Sequence, residues 1–136
     1  MKKAWVVIII CAALTAANAY AEFAGRGRGR VPRVEYLEPN NDSSVDLTDK
    51  KVLTFRWRQV PIPSGGREVY KFTLYKGYGH DVVVSETLDR GIFSIEISAD
   101  KFENGAVYSW YVKQRDGRSM IWSLFDNWNF KVIKRR

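Results

Sequence analysis

The chain has 136 residues, which is enough for one compact domain and too few for two of ordinary size. Its 22 lysine and arginine residues outnumber its 15 aspartate and glutamate residues, so the formal net charge is +7. A single cysteine and a single histidine exclude a disulfide framework and a zinc site built from several such side chains.

The N-terminus has the pattern of a bacterial secretory signal peptide. Met1-Lys2-Lys3 is basic, Ala4 to Ala17 is apolar apart from one threonine, and Ala19-Tyr20-Ala21 has the small-x-small form of a cleavage site. The apolar run is shorter than the roughly 20 residues of a membrane-spanning helix, and a retained anchor is the alternative. We predict that residues 1–21, including Cys11, are removed and that the protein is exported to the periplasm or out of the cell.

The positive charge is concentrated at the two ends of the chain. Residues 34–130 hold 12 basic and 14 acidic side chains, so the body of the domain is close to neutral. Residues 22–33 are rich in glycine and arginine and are predicted to be a flexible linker. Behind a signal peptide, the basic ends favour an electrostatic tether to an anionic surface over nucleic-acid binding, and a solvated spacer is the alternative. The candidate tether residues are Arg26, Arg28, Arg30, Arg33, Lys134, Arg135 and Arg136.

Apolar and polar residues alternate in short segments after the linker, which is typical of half-buried β-strands. Val31 to Glu38 is predicted to be an edge strand because it contains one proline and is followed by another, and residues 40–49 are predicted to be a turn region. The most regular segment is Gly105 to Asp116, which is predicted to be a central strand. The other predicted strands are residues 52–60, 69–76, 81–88, 92–97 and 119–132.

About seven strands separated by turn sequences, with no helical pattern, predict an all-β fold: a single antiparallel β-sandwich over residues 34–136. Several residues add detail to this prediction: Trp57, Tyr70-Lys71-Phe72, Phe102, Tyr108, Val112, Trp122-Ser123 and Phe130-Lys131-Val132. With them the chain resembles a fibronectin type III domain, an immunoglobulin-like sandwich. The resemblance implies a hydrogen bond from the Tyr108 hydroxyl to the backbone of the preceding loop, and a binding or spacer role without cofactor. The long spacing from Trp122 to Phe130 predicts a bulge or an extra edge segment.

Aromatic residues with the parity of the wet sheet face, or in turns, are the candidate binding residues. Exposed aromatic rings favour a contact with an envelope or extracellular protein. The alternative is a carbohydrate-binding module, in which the rings stack on a polysaccharide. The candidates are Tyr75, Tyr78, Tyr111, Trp122 and Phe125.

Little in the sequence indicates catalysis. His80 is alone in a glycine-rich turn, and Glu35 and Glu38 are predicted to lie on opposite faces of a strand, where they cannot flank one substrate. We therefore predict an exported, non-catalytic interaction module, with no metal and no cofactor. Its oligomeric state stays open.

Overall fold

Eight β-strands in two packed sheets form most of the regular structure in the computed structural model, which describes residues 31–63 and 67–136. The helix seen in this part of the chain is a single 3₁₀ turn, Ala99–Lys101, and no described helix is long and apolar enough to cross a membrane. In chain order the strands are β1 Glu35–Glu38, β2 Ser43–Asp46, β3 Val52–Arg58, β4 Glu68–Lys76, β5 Asp81–Leu88, β6 Ser94–Ser98, β7 Val107–Asp116 and β8 Trp128–Ile133.

The two sheets have the strand orders β1-β3-β6 and β2-β8-β7-β4-β5. Neighbouring strands are antiparallel except β2 and β8, which are parallel. Because β1 and β2 belong to different sheets, the chain crosses from one sheet to the other between them. The predicted all-β sandwich is confirmed, and the predicted central strand is β7, which pairs with both β4 and β8.

The predicted strand limits need two corrections. The predicted turn region at residues 40–49 contains β2, so the described strands number eight and the fold is not purely antiparallel. Pairing of Ser43–Asp46 with β8 overrides the turn composition of this segment, and the left-handed residues Asp42 and Asp49 flank β2 on either side. The last strand begins at Trp128 and not at Ser119, because residues 117–127 form a loop. The predicted signal peptide, and the predicted linker as far as Arg30, lie outside the described residues.

The core between the sheets is made largely of aromatic rings. Phe55 of β3 packs edge-to-face on Phe72 of β4 and Trp110 of β7, with ring centres 5.0 and 5.3 Å apart. Trp57, Tyr70 and Tyr108 have the inward parity of their strands and are all buried, whereas Ile95 of β6 is only half-buried. Alternation therefore identified the inner faces of the strands, and the exception lies on β6, at the free edge of its sheet.

The Tyr108 hydroxyl closes the connection between the 3₁₀ turn and β7. It accepts a hydrogen bond from the Glu103 amide at 2.8 Å and donates one to the Lys101 carbonyl at 3.5 Å. The Phe102 ring packs edge-to-face on the same tyrosine, with ring centres 4.9 Å apart. The predicted contact between this hydroxyl and the preceding backbone is thus confirmed.

A second tyrosine hydroxyl fills a gap in the pairing of β7. The β7–β8 ladder ends at the pair Trp110–Trp128, and Tyr36 of β1 reaches the next free position. Its hydroxyl accepts a hydrogen bond from the Val112 amide at 3.2 Å and donates one to the Val112 carbonyl at 3.0 Å. Ser123 resumes the contact with β7, since its amide donates to the Gln114 carbonyl at 2.8 Å and its hydroxyl accepts from the Gln114 amide at 3.0 Å. Residues 124–127 leave the ladder again, so the long spacing corresponds to a loop and not to the predicted bulge within a strand.

Replacing Tyr36 with phenylalanine is expected to lower the free energy of unfolding by about 1–3 kcal/mol, because a buried amide and carbonyl lose their partner. Urea unfolding at neutral pH measures this change. Tyr78→Phe, which removes an exposed hydroxyl, is the control and should leave the stability unchanged. Equal stability of Tyr36→Phe and the unsubstituted protein would contradict the bridging role.

The same tyrosine makes stability depend on alkaline pH. Burial raises the pKa of Tyr36 to about 12, above the value near 10 of an unfolded tyrosine. Its contribution is therefore complete below pH ~10 and is lost as pH rises from there towards 12. Tyr36→Phe should show a shallower loss of stability over this interval. Some loss should remain, since burial also raises the pKa of Tyr70 to about 12.

Candidate interaction surfaces

The five candidate aromatic residues fall into two places on the five-stranded sheet. Tyr75, Tyr111 and Phe125 form a row of rings on its outer face, with centres 6.0 and 4.0 Å apart, and Trp122 lies close to this row. Tyr78 is separate, in the turn between β4 and β5, where its side chain is 72 % exposed. The structure therefore brings four of the candidates together and leaves one at a turn.

Two cations of β7 hold the loop at residues 117–127, called here the β7–β8 loop, against the outer face of the sheet. The Lys113 ammonium lies 5.1 Å from the centre of the Trp122 ring and 5.6 Å from that of Phe125. The Arg115 guanidinium lies 5.0 Å from the Trp122 ring centre. Tyr111, Lys113 and Arg115 share one face of β7 because side chains on a strand alternate, and the rings of the loop pack among them. These residues form a cation–aromatic cluster of five: Tyr111, Lys113, Arg115, Trp122 and Phe125.

Tyr111 has the predicted outward parity but is not exposed. Phe125 covers its ring at 4.0 Å, and only 6 % of the residue is accessible, so the expectation that it lies on an open face is wrong. Burial by itself would raise the pKa of Tyr111, but the neighbouring hydroxyls of Thr73 and Tyr75 and the charge of Lys113 lower it overall. Burial and the hydrogen bond with Tyr111 raise the pKa of Tyr75. The two tyrosines therefore interact with each other beneath the loop.

The solvent side of the β7–β8 loop carries large apolar side chains that the sequence reasoning missed, apart from Phe125. The sequence did contain an indication of this surface, because residues 120–122 and 124–125 are consecutive apolar residues. A strand with one solvent-facing side can bury only every second residue, so some of these side chains had to be exposed. Arg115 supports this loop further, since its guanidinium donates to the Ser119 carbonyl at 2.8 Å. We call these residues the apolar crest: Met120, Ile121, Leu124 and Phe125, which are 84, 56, 60 and 40 % exposed.

A second surface is the free edge of β5, the last strand of the five-stranded sheet. The other terminal strands, β1, β2 and β6, have four, four and five residues, whereas β5 has eight. Natural sheets commonly protect long edges with lysine, proline or a covering segment. β5 contains no lysine, arginine or proline, and no other strand among the described residues pairs with its outer edge.

An open groove of about 570 Å³ separates β5 from β6, the free edge of the other sheet. Its apolar lining comes from both strands: Val83, Val84, Leu88, Ile95 and Ile97. Ile95 is only half-buried because it faces this groove and not a closed core. An extended segment added to β5 would place alternate side chains in the groove.

The basic candidates that the structure describes are partly engaged within the domain. The Arg33 guanidinium contacts both carboxylate oxygens of Asp126 at 2.9 Å. The Lys134 ammonium donates to the Ala99 carbonyl, and the backbone amide of Arg135 donates to the Thr48 hydroxyl. Arg135 and Arg136 are exposed, whereas Arg26, Arg28 and Arg30 lie outside the described residues.

The two glutamates of β1 lie on one face, so the prediction of opposite faces is wrong. A register shift between Tyr36 and Glu38 changes the parity, and Glu35 and Glu38 form ion pairs with Arg58 and Arg56 on the exposed side of their sheet. Across residues 31–63 and 67–136, no three histidine, cysteine, aspartate or glutamate side chains converge as metal ligands.

No protein-family model matches the chain, and a search of curated proteins finds no matching relative.

Lys113→Met should loosen the β7–β8 loop, because it removes the ammonium but keeps an unbranched apolar side chain. Loss of about 1 kcal/mol of cation–π attraction corresponds to roughly fivefold faster amide hydrogen exchange in residues 117–127. Lys131→Met, at an exposed position of β8, is the matched control. Unchanged exchange in Lys113→Met would show that the loop is held without the cation.

Proposed function

We propose that the protein is an exported, non-catalytic interaction module on a fibronectin III/immunoglobulin-like sandwich. Its partner is another protein, in the cell envelope or outside the cell. The proposal of export rests on the sequence of residues 1–21, and the proposal of a protein partner rests on the open edge of β5.

The immunoglobulin-like assignment has support from topology as well as from the residues of the resemblance. The orders β1-β3-β6 and β2-β8-β7-β4-β5 correspond to strands A-B-E and A′-G-F-C-C′ of such a sandwich. The hydrogen bonds of Tyr108 are those of a tyrosine corner. Domains of this architecture serve many roles, so the role must be argued from the surfaces.

The free edge of β5 favours a polypeptide partner over a sugar or a small molecule. A strand edge presents backbone donors and acceptors at the spacing of another strand, and an extended peptide matches that spacing. The groove beside β5 offers Val84, Leu88 and Ile95 to the inward side chains of such a peptide. Asp81 and Glu86 are the charged residues of β5, which favours a partner segment that carries lysine or arginine.

The carbohydrate alternative has less support from the geometry of the rings. Phe125 stacks on Tyr111, and Trp122 packs against Lys113 and Arg115, so these rings already have partners. Tyr78 keeps an open ring, but a sugar platform generally needs more than one. A glycan array that gives binding lost in Tyr78→Ala would favour this alternative over the protein contact.

Two added lysines on β5 should prevent strand addition. Ser85 and Thr87 are exposed, so Ser85→Lys with Thr87→Lys should leave the fold intact while guarding the edge. We expect the unsubstituted protein to recover a specific partner from envelope extract. The double variant should recover at least ten-fold less of this partner. Hydrogen exchange of the recovered complex should show protection over Asp81–Leu88.

The control carries the same two charges on the middle strand of the other sheet, as Val52→Lys with Thr54→Lys. It should recover the partner as the unsubstituted protein does. Equal recovery by both double variants, or protection confined to other strands, would rule out β5 as the contact edge.

A further inference from the structure

We propose that the apolar crest inserts into the surface of a membrane that contains anionic phospholipid, and so positions the domain against the bilayer. This goes beyond the protein contact at β5, because it uses a different surface and a different chemistry. Three features of the molecule support it: the exposure of the crest, its cationic surroundings and the point at which the chain enters the domain.

The crest exposes four large apolar side chains within six consecutive residues. Met120 and Leu124 are among the most exposed apolar residues of the described chain. Apolar clusters of this kind on a folded domain generally mark an interaction surface. The crest lies on a loop and consists of aliphatic side chains and one phenylalanine, which suits shallow insertion among acyl chains.

Cationic residues surround the crest. The Arg118 side chain is 70 % exposed, and Arg115 contacts the loop backbone at Ser119. Arg67 adjoins the start of the loop, since its carbonyl accepts from the Gly117 amide at 2.6 Å. Five cationic side chains accompany three carboxylates, and all three carboxylates are ion-paired. The cations are Arg33, Arg67, Lys113, Arg115 and Arg118, and the carboxylates are Glu68, Asp116 and Asp126.

This charge balance differs from that of the whole domain body, which is close to neutral. Lipid surfaces with phosphate headgroups attract arginine and lysine near the membrane, while apolar side chains enter the acyl region. A protein partner for the crest would need a matching apolar pocket with an acidic rim. An anionic bilayer supplies both properties over its whole surface.

The chain enters the domain beside the same loop. The Gln114 side-chain amide donates to the Pro32 carbonyl at 2.8 Å. The Gln114 backbone amide donates to the Ser123 hydroxyl of the loop, and the Gln114 carbonyl accepts from the Ser123 amide. Residues 22–30, which remain after the predicted cleavage, precede Val31 in the chain. They include the arginines at 26, 28 and 30, which add positive charge to the mature protein.

Insertion of the crest can be measured with a label placed on it. In the mature chain, which lacks Cys11 after the predicted removal of residues 1–21, Met120→Cys provides a single site for an environment-sensitive fluorophore. Vesicles of phosphatidylglycerol and phosphatidylcholine should shift its emission to shorter wavelength, whereas vesicles of phosphatidylcholine alone should give at most a weak shift. The same label at Tyr78→Cys, in the turn at the other end of β4, should not shift.

Vesicle co-sedimentation with a paired set of variants tests which side chains are responsible. Ile121→Ser with Leu124→Ser should lower retention on phosphatidylglycerol vesicles at least tenfold at physiological salt. The control is Val52→Ser with Tyr78→Ser, two exposed apolar positions away from the crest, which should retain full binding. Retention of the unsubstituted chain should weaken as salt is raised.

Three results would overturn the proposal. The first is a label on the crest that does not respond to anionic vesicles. The second is equal vesicle retention of the crest variant and the unsubstituted chain. The third is a chain that binds no vesicles but captures a protein partner, with that capture lost when the crest is altered. Failure of the β5 experiment leaves this proposal intact, because neither lysine variant of that experiment changes the crest.

Discussion

The break in the β7–β8 ladder at Val112 is the constraint on which the β7–β8 loop and its apolar crest depend. A backbone amide and carbonyl left unpaired in the core would cost stability, and the Tyr36 hydroxyl satisfies both of them from the opposite sheet. Because this one side chain completes the ladder, residues 124–127 are free to bow outward without leaving β7 unsatisfied. The bowed loop is what presents the apolar crest.

Two cations hold the loop in addition to the Phe125–Tyr111 ring contact and the Ser123–Gln114 hydrogen bonds, and this has a structural consequence. Lys113 and Arg115 extend from the outer face of β7, whose opposite face is buried in the core. Where the loop does not cover this outer face, its side chains contact water and need to be polar. Long basic side chains cover the Trp122 ring with their stems while their charged ends remain near water. An outer layer built this way fixes Trp122 against the sheet, while the adjacent Ile121 is exposed to solvent.

Period-two alternation was enough to predict the two-sheet architecture, the central strand and most of the core rings. It failed where a tertiary contact decided the local structure: β2 forms in a sequence of turn composition because β8 offers it a partner, and a register shift in β1 reverses the parity of Glu38. It also predicted the outward direction of Tyr111 but not its burial. The cover comes from Phe125, fourteen positions later in the chain, and no local pattern contains that contact.

The two proposed surfaces differ in what they require of a partner. The edge of β5 can be satisfied only by groups that donate and accept hydrogen bonds at strand spacing, which restricts its partner to polypeptide. The crest requires only an apolar medium bordered by negative charge, because its side chains offer no hydrogen bonds and its surrounding cations offer no fixed geometry. A domain held at a membrane by the crest would keep β5 open to a second chain, since crest and edge belong to different strands and loops. Localisation and recognition would then rest on separate parts of one sandwich.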